Sequence, residues 1–158
     1  MDSMVDPSAD VIWESVSVTV DAKGVHEKFP QSDDEWREVR RRAITLLEAT
    51  NLLLIPGRHV ARPGEKSENP NIELDPEQIE VLVNRDRETF NRLAHQLHDA
   101  VMVSLRAIEA RDKEAIMESG DAIDRACESC HLKYWYPEDE QNRRLEQQPT
   151  PSKSKNPF

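Results

Sequence analysis

The chain has only two cysteines in 158 residues, no run of about 18 apolar residues, and no convincing strand alternation. Each lack narrows the reading. Without a long apolar run there is no membrane-spanning helix to place. With only Cys127 and Cys130, no disulfide framework is available. A structural zinc site wants four ligands, and here neither a second cysteine pair nor a following pair of spaced histidines is present. The opening Met1-Asp2-Ser3-Met4-Val5-Asp6 has neither the basic start nor the apolar stretch of a secretory signal. Basic surplus is also absent. A net charge of −10 argues against nucleic acid and anionic membranes as partners, because both would repel such a surface. Hydrophobic residues, at 37%, fall below the globular average, which suits a helical domain with solvated faces and polar ends. No nucleophile–base pair or second metal site is visible, so enzymatic turnover is not expected.

What is present is concentrated in Cys127-Glu128-Ser129-Cys130-His131. Two cysteines separated by two residues, with histidine next, match the attachment signature of c-type haem. The order has a chemical reason. Each thiol adds to one haem vinyl group, and the neighbouring imidazole ligates the iron. On a helix all three side chains fall on one face. Two other readings stay open beside it. A thioredoxin-like redox pair would want a βαβ context and a helix N-terminus, whereas this pair falls late in a helical pattern. Two buried or disulfide-linked cysteines with no ligand are the plainest account.

Four segments carry helical periodicity. The first runs from about Pro7 to Val18, with Asp6 as cap and Val11, Ile12, Trp13 and Val16 as its apolar side. Val16–Val20 alternates like a strand but has no evident partner, and reads as a frayed helix end. The second opens on the capping box Ser32-Asp33-Asp34-Glu35 and stops at Pro56-Gly57. The third starts at Asp75-Pro76 and reads Ile79, Leu82, Val83, Phe90, Leu93, Leu97, Val101, Leu105 and Ile108 as one continuous face. The fourth follows Arg111-Asp112 and carries Ile116, Gly120, Ile123, Cys127, Cys130, His131 and Tyr134. These elements predict an all-α antiparallel four-helix bundle over residues 7–136, with a covalent haem in its core. A flexible lead (1–6) and a disordered polar tail (137–158) flank it.

A four-helix chain with the haem motif in its last helix resembles the class II c-type cytochromes, the cytochrome c′ group, over roughly residues 7–136. Stretches 6–13, 51–58 and 127–137 are also similar to a further branch of small bacterial cytochromes. The resemblance implies one covalent haem c on Cys127 and Cys130, His131 as proximal iron ligand, electron transfer with redox partner proteins, and a homodimer. Haem attachment in bacteria takes place outside the cytoplasm. The expected location is therefore the periplasm, with an export signal removed ahead of Met1. The long loop Val20–Gln31 and the insert Gly57–Leu74 depart from the family's pattern.

Three further expectations concern the surroundings of the haem. Arg58, at the end of the second helix, is a candidate partner for the anionic propionates. Trp13, Phe90 and Leu97 are candidates for packing on the haem. Counting back from the turn near residue 112 at equal rise pairs His131 with about residue 92 and Cys127 with about residue 96. Phe90, Leu93 and Leu97 then face the haem, with Leu47, Leu53 and Leu54 from the second helix and Ile12, Trp13 and Val16 from the first. None of these ligates iron, so an open sixth position is expected. A gas-binding haem protein for nitric oxide or carbon monoxide is thus the alternative to a one-electron carrier, and a haem-free interaction domain is the third class. His26, His59, His95 and His98 read as loop or surface groups, and Met102 and Met117 as core filler. The run Arg37, Arg40, Arg41, Arg42, set among Asp33, Asp34, Glu35 and Glu38, reads as a solvated face laced with ion pairs.

Overall fold

A computed structural model describes residues 1 and 3–137. The chain is mostly helical. Its elements are α1 (Val5–Ser15), a hairpin of β1 (Ser17–Asp21) and β2 (Gly24–Lys28), α2 (Asp33–Leu53), α3 (Pro76–Arg85), α4 (Arg87–Ala110) and α5 (Lys113–Tyr134). The tail expected to be disordered lies outside the described residues, Pro137 excepted.

The helix starts follow from local chemistry. Ser32 Oγ accepts from the Glu35 amide at 3.2 Å while the Glu35 carboxylate accepts from the Ser32 amide at 2.9 Å, closing the expected capping box. Gln78 reaches back to the Asp75 amide at 2.9 Å ahead of α3, with Pro76 as the first helical residue. Asp112 accepts from Ala115 N at 2.9 Å and starts α5. The arginine run behaves as read. Arg37 pairs with Asp34, Arg41 and Arg42 pair with Glu38, and Arg40 reaches Glu109 on α4. These groups are exposed or, for Arg42 and Glu38, only partly buried, so each pair contributes little.

Three expectations are corrected. First, the fold is not all-α. Val16–Val20 is no frayed helix end, because Ser17–Asp21 pairs antiparallel with Gly24–Lys28, from Ser17 opposite Lys28 to Asp21 opposite Gly24. The partner strand was hidden because Val25 is its only apolar residue. Asp21 Oδ1 accepts from Lys23 N at 2.7 Å, and Gly24 takes φ +131°, which permits the tight reversal. Second, the third helix is two helices. At Asp86 (φ −127°, ψ 53°) the backbone leaves the helical region, and its carboxylate accepts from Thr89 N at 3.3 Å to cap α4. The apolar spacing from Val83 to Phe90 is a heptad step, so periodicity passed over the break. Third, α1 starts at Val5, inside the segment expected to be a flexible lead. The Met1 carbonyl accepts from the amides of Met4, Val5 and Asp6.

Helices α1, α2, α4 and α5 pack in a closed ring: α1 on α2, α2 on α4, α4 on α5, and α5 back on α1. Their shared core contains Ile12, Leu46, Val101, Ile116 and Ile123, all fully buried. Ser104 donates to Ser119 at 2.8 Å, and Ser119 to the Ile116 carbonyl at 2.8 Å, so small polar residues let α4 and α5 approach closely. A second, smaller core joins α3 to the other end of that pair through Ile79, Val83, Leu93 and Tyr134. Leu46→Ala should lower stability by about 2–5 kcal/mol by urea unfolding, through transfer and cavity terms. Val20→Ala, on the exposed hairpin, should stay within about 0.5 kcal/mol.

Candidate cofactor site

Cys127, Cys130 and His131 project from the last turns of α5 onto one small apolar pocket. Phe90, Leu93, Ala94 and Leu97 from α4, Leu53 from the end of α2, Ala126 and Met1 complete its walls. Phe90, Leu93 and Leu97, which level-matching along α4 and α5 set opposite the cysteines, line this pocket, and so does Leu53. The two cysteines lie at the joint between the two cores: Cys127 packs on the main cluster and Cys130 on the smaller one.

Burial governs the chemistry of this face. It pushes the Cys127 thiol up to about 11, with the carboxylates of Asp6 and Asp124 adding to the rise. It pushes the Cys130 thiol up to about 12, helped by neighbouring Cys127. Both remain free thiols. Burial also lowers the His131 pKa, against the opposing pull of Asp6, Glu128 and Glu73, so the imidazole is held neutral and able to donate a lone pair. Trp135 and Tyr136 flank that ring at centroid distances of 5.8 and 6.0 Å, and Tyr136 Oη donates to Glu128 at 2.8 Å. Beyond it, the buried Tyr134 packs edge-on against Phe90 at 5.5 Å and donates to the Asp86 carbonyl at 3.1 Å, tying α5 to the α3–α4 break.

The donor set fits a covalent haem. Two protonated thiols and one neutral imidazole share a helix face and an apolar wall. The free space, about 30 Å³, is only one water's share of volume and far below the roughly 300–1,000 Å³ of ligand pockets. A porphyrin would have to part the two cores at the joint where the cysteines lie. A zinc site needs converging ligands, and among the described residues no group of three or more His, Cys, Asp or Glu is placed to hold a metal.

The remaining candidates scatter. Trp13 does not reach the cysteines. Its Nε1 donates to the Gly120 carbonyl at 3.1 Å, and its ring sits where a Cβ on Gly120 would come within 3.1 Å of it. It belongs to a separate groove of about 360 Å³ lined by Ile12, Trp13, Val16, Ile116, Met117, Gly120, Asp121 and Asp124. The reason is direction: α1 runs against α5 with its Val5 end toward Cys127, so Ile12, Trp13 and Val16 lie at the far end. Leu47 packs on the main core without lining the pocket. Arg58 is exposed just past the end of α2 and forms no ion pair among the described residues. The cation at the pocket's rim is Arg87. It donates to the carbonyls of Leu53 at 2.8 Å and Ile55 at 3.2 Å and lies 5.1 Å over the Phe90 ring. In the sequence Arg87 was one charge among many. Its place one turn before Phe90 was the only signal.

The other histidines lie elsewhere. His26 pairs with Asp21 at 3.1 Å, His59 with Glu80 at 2.9 Å, and His98 with Asp99 at 3.2 Å, while His95 is exposed. Beside His131 and the cysteines, Met1 is the one pocket-lining residue with an atom that ligates iron. Sequence reasoning passed over it because it precedes the first helical pattern. No protein-family model, curated protein or solved structure matches the chain.

In the haem-free chain the raised thiol pKa values leave very little thiolate at pH 8, so alkylation by iodoacetamide should be slow. Unfolding in urea returns the thiols toward the ordinary value of about 8.5 and should raise the labelling rate by at least about tenfold. Equal rates in native and unfolded chain, followed by mass spectrometry, would contradict the buried placement.

Proposed function

We propose that the chain is a monohaem c-type cytochrome, carrying one electron at a time in the bacterial periplasm on an antiparallel four-helix bundle of α1, α2, α4 and α5. One observation carries this reading: Cys127, Cys130 and His131 share one face of α5 and one apolar pocket whose opposite wall comes from α4 and the end of α2. Haem bound there would supply a one-electron iron couple. The chain's own contribution is positioning and dielectric. Cys127 and Cys130 would tether the group at two points, and His131, neutral and packed between Trp135 and Tyr136, would hold the iron from one side. Leu53, Phe90, Leu93 and Leu97 keep water from the opposite side, which favours the less charged state of the centre. Arg87, which lies over the Phe90 ring, joins Arg58 as a candidate to neutralise a propionate. No helix among the described residues is long and apolar enough to cross a membrane, so redox proteins would be met at the surface.

Expression in the periplasm of a host with haem-attachment machinery tests this. The denatured protein should weigh the chain plus one haem and survive acid–acetone extraction. Cys127→Ala should leave at most a single thioether, and His131→Ala should disturb the iron spectrum more than changes at His26, His59 or His95. A bare-chain mass would remove the basis of the proposal and favour a haem-free interaction domain.

A second reading, binding of nitric oxide or carbon monoxide, has its own support. The four remaining histidines all lie outside the pocket, whose wall is apolar apart from Met1. The ferrous holoprotein should then be high-spin and bind carbon monoxide rapidly at neutral pH. A low-spin, six-coordinate spectrum that changes on Met1→Leu would instead assign the thioether as sixth ligand.

A further inference from the structure

At about 360 Å³, the groove between α1 and α5 falls within the roughly 300–1,000 Å³ of small-molecule sites. Its floor is apolar, made by the buried side chains of Ile12, Val16 and Ile116. Trp13 from α1 and Met117 from α5 are 37% and 42% exposed there. Tryptophan is highly buried on average. Here its ring is held in place by the Nε1 hydrogen bond to the Gly120 carbonyl at 3.1 Å while more than a third of the residue faces solvent. The groove therefore has a fixed aromatic wall with nothing of this chain covering it.

Asp121 and Asp124 supply the groove's charge. They follow Met117 by four and seven residues, which keeps all three on one stripe of α5. The ion pairs of α5 are those of Lys113 and Lys133. Neither aspartate, nor Arg125 beside them, takes part in one among the described residues. Helix α1 brings no cation either, since it carries Asp6, Asp10 and Glu14 but no Lys or Arg. Asp124 stands one turn before Cys127 and its charge is felt at that thiol, so the groove ends beside the cysteine pocket. These walls select by chemistry. An anion is repelled by the two carboxylates, and a neutral apolar molecule would strip water from them without replacing its hydrogen bonds. A metal ion needs converging ligands, and among the described residues no group of three or more His, Cys, Asp or Glu is placed to hold one. A cation with an apolar body suits every wall. Its N–H groups donate to the carboxylates, and its body packs on the indole, the thioether and the floor.

We propose that the α1–α5 groove binds a small amphipathic organic cation, an ammonium or amidinium group on an apolar body, with its charge at Asp121 and Asp124 and its body against Trp13 and Met117. The site uses neither cysteine nor His131, and it stands or falls independently of haem.

Titration of the full chain with benzylamine, followed by nuclear magnetic resonance at the Trp13 indole N–H, tests it. Loss of that signal in Trp13→Phe assigns it. The titration is run at about 0.15 M salt, where the general pull of an acidic surface on cations is screened. A saturable shift is expected. Affinity should be at least about tenfold lower for benzyl alcohol, which lacks the charge, and for ammonium chloride, which lacks the body. Asp121→Asn with Asp124→Asn should weaken benzylamine binding by about tenfold or more. Met117→Lys, at an exposed position, would place a tethered ammonium in the groove and should abolish binding. Circular dichroism checks the fold of each variant; if the asparagine pair unfolds, Met117→Lys decides. The absence of a saturable shift with benzylamine would overturn the proposal. Equal affinity for benzyl alcohol would reduce the groove to an apolar surface, and equal affinity for ammonium chloride would reduce it to counterion attraction; either overturns it. Binding that survives both sets of substitutions would do the same.

Discussion

Arg111 takes the left-handed conformation (φ 56°) between α4 and α5, and with Asp112 beside it turns the chain straight back on itself. Its amide and that of Asp112 return to the carbonyls at the end of α4, while its guanidinium reaches Asp33 at 2.6 Å at the start of α2. So short a turn leaves α5 no choice but to lie along α4. Every level of α5 is thereby assigned a level of α4: Ser119 meets Ser104, and Tyr134 meets Phe90. The cysteine pocket is a consequence of that pairing. Thiols and imidazole in the last turns of α5 must face the first turns of α4.

The other end of the pair is held by different means. Asp86 breaks the chain between α3 and α4, and three groups converge on it: its own cap on Thr89, the Tyr134 hydroxyl on its carbonyl, and Lys133 at 3.2 Å. The hydrogen bonds from Thr89, and then the Lys133 contact, hold the Asp86 carboxyl below its ordinary range. The break lets α3 fold over the smaller core and places a seam between the two clusters, where the cysteines lie. A continuous helix in place of α3 and α4 would leave Ile79 and Val83 without this second core.

A chain with so little apolar content has to use it economically. The main core is built from single large residues on four helices, with alanines and serines where backbones come close. Gly120 serves the same end, because a Cβ there would come within 3.1 Å of the Trp13 indole and push it a few tenths of an ångström off α5. That packing draws Trp13 away from the cysteines and into the groove beside the hairpin.

Much of this was legible in the sequence. The motif at 127–131, the capping box at Ser32, the ends of α2 and the facing of Phe90, Leu93 and Leu97 all follow from local spacing, because a helix converts spacing into direction at a constant rise. The same rule could not see what depends on partners. A strand with one valine reads as loop until its neighbour is known, and a heptad step conceals a helix break that a single aspartate makes. Arg87, Met1 and Trp13 were placed by contacts between elements distant in sequence, and no periodicity within one element encodes those. The order of the cysteines and histidine was thus a property of the chain alone. Which walls surround them, and that those walls raise the thiols and keep the imidazole neutral, was decided only when burial brought α2, α4 and α5 together.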